Sequence, residues 1–255
     1  MTEPIVLPPL SPGQQQSWHA LMDLHEYIDS DWTLIGGQLV HLHCAERNVS
    51  PSRPTDDADT VVNIRTNPGM LATFTGALRV MAFQPDITGD GLQHRWRREL
   101  AQIDVLIPEG IGERAAARLG VGGAPTLSAP GTSQALSRTE RVAVTTGGRT
   151  GHVLRPTLFA ALVGKAAART EIVRDPAQTR HCIDFVVLAS LVAARDLRSV
   201  GLEKKDRLRL RKMLACCRSD AAAMEVADAG EALARLERAI ELQLEPSSGA
   251  NNPTP

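Results

Sequence analysis

Residues 56–64, Asp-Asp-Ala-Asp-Thr-Val-Val-Asn-Ile, set three carboxylates at the start of a segment whose later residues suit a buried strand. Side chains two apart on a strand share a face, so Asp57 and Asp59 point one way and Asp56 and Ala58 the other. Two carboxylates about 5 Å apart repel by roughly 3 kcal/mol at an effective dielectric of about 20. A fold keeps them there if they face water, share a proton or bind a divalent cation. The run "QIDVLIP" places Asp104 in mid-strand among apolar residues, where a lone charge is costly to desolvate. Three such groups on neighbouring strands suit Mg²⁺, a hard ion that takes carboxylate oxygens and keeps water and phosphate as its other ligands. For "DDAD" alone, an acidic strand start facing water stays open.

The stretches around this segment alternate between strand and helix. Ser11 and Pro12 read as N-cap and first residue of a helix over "LSPGQQQSWHALMDLHEYIDSD". "WTLI" reads as a strand, Gly36-Gly37 as its turn, "QLVHLHCAER" as a helix, and "ADTVVNI" as the next strand. A glycine pair between strand and helix lets backbone approach a phosphate closely. "NPGMLATFTGALRVMAF" follows as a helix, closed by a turn in "QPDITGDG", and "QHRWRREL" and "AQIDVLIP" as an antiparallel strand pair. Residues 110–137, rich in Gly, Ala and Pro, predict a loop with one or two short helices. "ERVAVTTGGRTGHVLRP" predicts a hairpin with Gly147-Gly148 near its tip. Beyond Pro156, four stretches carry helical periodicity: 156–170, 175–196, 203–217 and 219–244. The expected fold class is α+β: a mixed sheet with flanking helices over 1–155, a helical domain over 156–244 and a disordered tail over 245–255.

Totals exclude several classes. The 255 residues carry a net charge of −1, which gives no overall pull toward nucleic acid or anionic lipid, so any polyanion site must be local. Cys44, Cys182, Cys216 and Cys217 lack zinc or redox spacing and read as reduced thiols. The first residues, "MTEPIVLPPLSPG", do not form a signal peptide, and no apolar stretch is long enough to span a bilayer. A cytoplasmic location is expected. "GVGGAPT" lacks the Lys-Ser/Thr of a P-loop, and His41 and His43, two apart on a helix, fall on different faces.

Gly36-Gly37, then Arg53-Pro-Thr55-Asp-Asp57-Ala-Asp59, then Asp104 together resemble the nucleotidyltransferase superfamily. The pattern looks most like the AbiEii/AbiGii-type toxins, including the MenT-like group, over roughly residues 32 to 190. In the helical half, Lys165 and Asp184 of "RHCIDFVVL" match positions of that family. His181 stands where an Asp is common there, and Ala58 where a bulkier aliphatic is common. The resemblance implies a nucleotidyltransferase fold and Mg²⁺-dependent transfer of a nucleotide from a nucleoside triphosphate to a macromolecular acceptor, with tRNA favoured. Asp57, Asp59 and Asp104 would hold the metal ions. Gly36, Gly37, Arg53 and Thr55 would bind the nucleotide, Lys165 would sit over the triphosphate, and Asp184 would complete the catalytic set. A cognate antitoxin protein is a partner the family admits, and a membrane is not. Two alternatives stay open: a small-molecule or protein-directed transferase on the same fold, and a catalytically silent nucleotide- or partner-binding module.

Residue type alone gives Lys165 a second reading as a solvated helix lysine, and Asp184 one as the partner of Arg180, four residues before it. In "EKKDRLRLRK", Leu210, Met213, Leu214 and Cys217 form an apolar stripe, with Lys204, Lys205, Arg207, Arg209, Arg211 and Lys212 mostly outward. That face reads as solvated or as a phosphate track for RNA, extended by Arg95, Arg97 and Arg98, with Arg138 joining them or the triphosphate.

Overall fold

The computed structural model of the protein describes residues 3–87, 89, 91–172, 177–193, 196 and 201–242. Helix α1 (Pro12–Tyr27) starts at the expected place, because Ser11 Oγ accepts from the Gln14 N–H and the Gln14 side chain accepts from the Ser11 N–H. Strand β1 (Ile5–Val6) precedes it, and β2 (Trp32–Ile35) follows. The next helix, α2 (Gly36–Glu46), begins two residues earlier than the sequence reading placed it. Gly36, at φ 72°, makes the strand-to-helix reversal itself.

Next come β3 (Ala58–Val62), α3 (Met70–Val80), β4 (Gln84–Asp86), β5 (Arg95–Arg98) and β6 (Ala101–Pro108). Gln84–Asp86 was expected in a turn, but it pairs antiparallel with β5 and so becomes a strand. Thr88 and Asp90 of that turn lie outside the described residues. The Gly/Ala/Pro-rich stretch holds α4 (Glu113–Ala116), β7 (Ser128–Ala129) and α5 (Thr132–Ser137). Strands β8 (Thr139–Thr146) and β9 (Arg149–Pro156) form the hairpin, turned by Gly147 and Gly148, both at positive φ.

The main sheet runs β2-β3-β6-β5-β4, with β7 paired to β6; a second sheet runs β1-β8-β9. At the centre of the main sheet β3 and β6 are parallel, while β2–β3 and β5–β6 are antiparallel. That central position explains the apolar run after Asp59: Val61 and Val62 are fully buried.

After β9 the described elements are helices: α6 (Leu158–Glu171), α7 (Gln178–Ser190), α8 (Lys204–Arg218), α9 (Ala221–Met224) and α10 (Ala229–Leu242). The last expected helix is split in two because Asp228 takes a left-handed φ of 56°, which a short polar side chain tolerates and a helix does not continue through. Leu210, Met213, Leu214 and Cys217 are buried, so the stripe read on α8 faces the core. Buried apolar side chains form one continuous core from Leu7 to Ile240, shared by the sheets and the late helices. A mixed sheet with flanking helices, followed by a helical part, is therefore the architecture. We propose the division at residue 155 as a change of architecture across that shared core. The tail at 245–255, and positions 175, 176, 194 and 195 of the expected second helix, lie outside the described residues. Among the described residues no helix is long and apolar enough to cross a membrane.

Candidate active site

Strand register decides which carboxylates meet. Asp59 stands opposite Asp104 in the parallel β3–β6 ladder, and Asp57 lies two residues upstream on the same face. One oxygen from each of Asp57, Asp59 and Asp104 lies within 4.8 Å of the others. Protein packed around Asp59 strips its carboxyl group of water, and Asp57 and Asp104 add repulsion, so its pKa is pushed up to about 7. At that separation and an effective dielectric of about 20, each ionised pair repels by about 3 kcal/mol. The cluster is short of positive charge, and its all-oxygen donor set fits a hard divalent cation.

The glycine pair is pressed against this cluster. A Cβ on Gly36 would fall 1.8 Å from Asp59 Oδ2, and one on Gly37 would fall 2.7 Å from the Thr55 side chain. Glycine is thus required at Gly36 twice over, by its φ and by the carboxylate it touches. The loop before β3 is fixed from two helices. The Thr55 carbonyl accepts from Gln14 Nε2 of α1 at 2.7 Å and from Gln38 Nε2 of α2 at 2.8 Å, and Trp18 Nε1 donates to Gln38 Oε1. Thr55 Oγ1 in turn donates to Asp57 Oδ1 at 2.9 Å, which orients that carboxylate. Asp56 points away from this pair and accepts a 3.4 Å bond from Ser11 Oγ at the surface.

The helical half supplies the facing wall. Asp184 of α7 is buried and does not pair with Arg180; it takes a bidentate contact from Arg53 at 2.9 and 2.8 Å and a 2.7 Å contact from Lys165 Nζ. Lys165 is buried rather than solvated. Burial works to raise the Asp184 pKa, but Lys165 and Arg53 outweigh it and hold the carboxyl below its ordinary range. A cleft of about 630 Å³ opens between the two walls. The carboxylates Asp57 and Asp59 and the glycines Gly36 and Gly37 line one side of it; Lys165, Arg180 and His181 line the other. Beside it lies an apolar pocket of about 200 Å³, walled by Ile35, Leu39, Leu106, Ala161 and Ala168. Gly36, Asp59, Lys165 and His181 border both spaces.

Sequence reasoning gave several of these residues other roles. Arg95 does not extend an RNA track; it bonds Asp104 through Nε and Nη2 at 3.2 and 3.1 Å. Gln102 Nε2 also donates to Asp104, at 3.3 Å. The signal for Arg95 was present. The two-residue turn Glu99-Leu100 pairs Arg98 with Ala101, and that register puts Arg95 opposite Asp104. Arg97 pairs with Asp86, and Arg98 donates to the Met81 carbonyl over the Phe83 ring. Arg209 is buried, because it binds Glu171 in a bidentate pair, and Arg207 donates to the Leu202 carbonyl. Arg138 donates to the Gly201 carbonyl and lines a separate cavity of about 680 Å³, where Arg155 pairs with Glu46 and Glu140 and Arg47 with Asp196. What remains outward on α8 is Lys204, Lys205, Leu208, Arg211, Lys212, Ala215 and Arg218, the last paired with Glu237.

No family profile and no curated protein matches the chain. Among solved structures it is similar to an antigenic nucleotidyltransferase-like protein from Paracoccidioides brasiliensis, at 14% identity and a TM-score of 0.49, over 89% of this chain and 95% of that one. It is also similar to the antibiotic-resistance factor ANT(2'')-Ia, at 12% identity and a TM-score of 0.45, over 85% of this chain and 97% of that one.

Proposed function

We propose that the protein is a Mg²⁺-dependent nucleotidyltransferase that moves a nucleotide from a nucleoside triphosphate to a hydroxyl of a macromolecular acceptor, tRNA first among them, in the manner of the AbiEii/AbiGii-type toxins. The observation that carries this reading is the convergence of Asp57, Asp59 and Asp104 within 4.8 Å, with Asp57 and Asp59 lining a cleft and Asp104 buried behind them. Metal ions held by these three residues would neutralise the triphosphate and make the acceptor hydroxyl more acidic. The chain's own residues do the positioning. By lacking Cβ atoms, Gly36 and Gly37 leave room for the Asp59 and Thr55 side chains and so shape the phosphate-binding turn. Thr55 orients Asp57, and Lys165, braced by Asp184, sets a cation over the polyphosphate. The apolar pocket beside Asp59 receives the base. The acceptor oxygen bonds to the α-phosphorus, the bond to the bridging oxygen breaks, pyrophosphate leaves, and the hydroxyl proton passes to solvent.

The test is incubation with Mg²⁺, each α-labelled triphosphate in turn, and total tRNA or cell extract. Label in tRNA supports the acceptor named here, and label in protein or small molecules moves the acceptor while keeping the chemistry. Loss of label in Asp57→Ala locates the reaction at the carboxylates. Undiminished label in that variant would falsify the site, and no label anywhere would leave a nucleotide- or partner-binding module. A cognate antitoxin would be sought by co-purification with the tagged protein.

A further inference from the structure

Arg95 bonds the third carboxylate of the cluster and lines the cleft, and the reaction as described gives it no role. It lies on β5 directly opposite Asp104. Its Nε and Nη2 reach the two Asp104 oxygens at 3.2 and 3.1 Å, and Gln102 adds a third donor at 3.3 Å. A carboxylate offers about four lone-pair directions, so protein donors take three of those on Asp104. This is the same carboxylate that converges with Asp57 and Asp59. The guanidinium therefore stands where positive charge is wanted, but it serves one carboxylate and leaves the other two to repel each other.

Exposure is unequal across the pair. The Asp104 side chain is 7% exposed and held in the central ladder, whereas that of Arg95 is 31% exposed and lines the cleft. If the contact opens, the arginine is the partner with somewhere to go. Its stem is long, its charge is permanent, and the cleft beside it, of about 630 Å³, has room for a polyanion.

We propose that Arg95 is the built-in counter-cation of the carboxylate cluster: it holds Asp104 while no metal ion is bound and gives that carboxylate up when a divalent cation enters. Once released, the guanidinium turns into the cleft, where it is a further anion-binding group beside Lys165 and Arg180. Metal entry and polyphosphate binding are thereby linked through one side chain. This inference rests on the metal-site reading above.

Mn²⁺ binding, followed by its EPR signal with no nucleotide present, tests it in wild type, Asp57→Asn and Arg95→Gln. Wild type is expected to bind, Asp57→Asn to lose most of that binding, and Arg95→Gln to bind about five- to tenfold more tightly because no guanidinium competes for Asp104. Equal or weaker binding by a folded Arg95→Gln protein overturns the counter-cation role and leaves the metal site standing. Binding by none of the three overturns both. Because loss of Arg95 also strips charge compensation from the apo site, a second measurement uses wild type alone. The ¹H–¹⁵N signal of Arg95 Nε, assigned by its absence from Arg95→Lys, is expected to shift and to exchange faster with water as Mg²⁺ saturates. An Nε signal that keeps its position and protection at saturating Mg²⁺ overturns the proposal.

Discussion

Two carboxylate clusters lie where the sheet meets the late helices, and their charge balance is opposite. At Asp184 one carboxylate faces two cations, Arg53 and Lys165, at 2.7 to 2.9 Å. At the sheet, three carboxylates have one cation bonded to them, Arg95, while Lys165 and Arg53 act on Asp59 only at longer range. The first cluster holds its acid below the ordinary carboxylate range; in the second, Asp59 is pushed up to about 7. Asp184 and Asp104 are both buried, yet they sit in opposite surroundings, so burial alone does not separate the clusters. The count of charges does. A carboxylate outnumbered by cations is held as a brace, and a standing deficit of positive charge points to a partner that is not part of the chain. Lys165 belongs to both clusters: it is bonded to Asp184 and its charge also acts on Asp59. That makes it the link through which the helical wall is tied to the carboxylate floor.

The largest effect that separates the clusters is on catalysis. Asp59→Asn is expected to lower nucleotidyl transfer by about a thousandfold or more, while the apo protein melts at the same temperature or higher because a like-charge contact is gone. Label transfer and a thermal melt on the same preparation read both. Asp184→Asn is expected to do the reverse in stability. It leaves Arg53 and the buried Lys165 without their counter-charge and costs about 3–5 kcal/mol in urea unfolding. If Asp59→Asn destabilises as much as Asp184→Asn, the contrast between a site and a brace is wrong.

Much of the three-carboxylate cluster at the sheet was legible in the sequence, because a strand's period of two and a short turn are local rules. Asp57 and Asp59 share a face by spacing alone, and Asp104 needed only the guess that its strand lies beside theirs. The Gly36-Gly37 pair was legible as a place for close approach, though what it approaches most closely in the fold is Asp59 itself. Arg95 was legible in principle from the turn at Glu99-Leu100 and was missed because an arginine-rich stretch was read by composition instead of by register. The cluster at Asp184 is of another kind. Arg53 and Asp184 are 131 residues apart, and no local pattern says that a loop before β3 meets the middle of α7. Arg209 shows the same limit: among the basic residues of α8 it is one that turns inward, since Glu171 from α6 reaches it. The break at Asp228 was hidden for a different reason. Alanine-rich flanks favour a continuous helix, and only tertiary packing selects the left-handed residue between them.

Without metal, the two clusters also predict opposite pH dependences. Folding raises the Asp59 pKa to about 7, so its protonated form favours the folded state. That contribution is full below about pH 4 and is lost as pH climbs toward 7. Folding lowers the Asp184 pKa, so its contribution is present above about pH 4 and is lost as pH falls through the lower folded value. Urea unfolding of wild type and of each Asn variant between pH 4 and 8 separates these. The stability difference between wild type and Asp59→Asn should shift against wild type as pH rises to 7, by at most about 1.4 kcal/mol per pH unit. A flat difference for Asp59, or a falling one for Asp184, breaks the assignment of surplus and balance.

The smallest expected effect concerns the pocket beside the carboxylates. Its walls are mostly aliphatic and small; of the polar side chains at its border, Asp59 belongs to the carboxylate cluster, Lys165 is bonded to Asp184, His181 faces the cleft as well, and the Thr132 hydroxyl donates to the Ala129 carbonyl at 2.7 Å. Such a pocket excludes water from a flat ring without reading the ring's edge, and dispersion contacts alone separate similar ligands by only about 1–3 kcal/mol. The four nucleoside triphosphates are therefore expected to differ by less than about tenfold in kcat/KM, toward the low end of that range. Ala161→Leu, which fills the pocket, should raise KM for all four together and leave Mn²⁺ binding at the carboxylates untouched. A strong preference for one base, or a rise in KM confined to one triphosphate, would show that hydrogen-bonding groups elsewhere in the cleft read the base, and the apolar pocket would then belong to the acceptor side of the reaction.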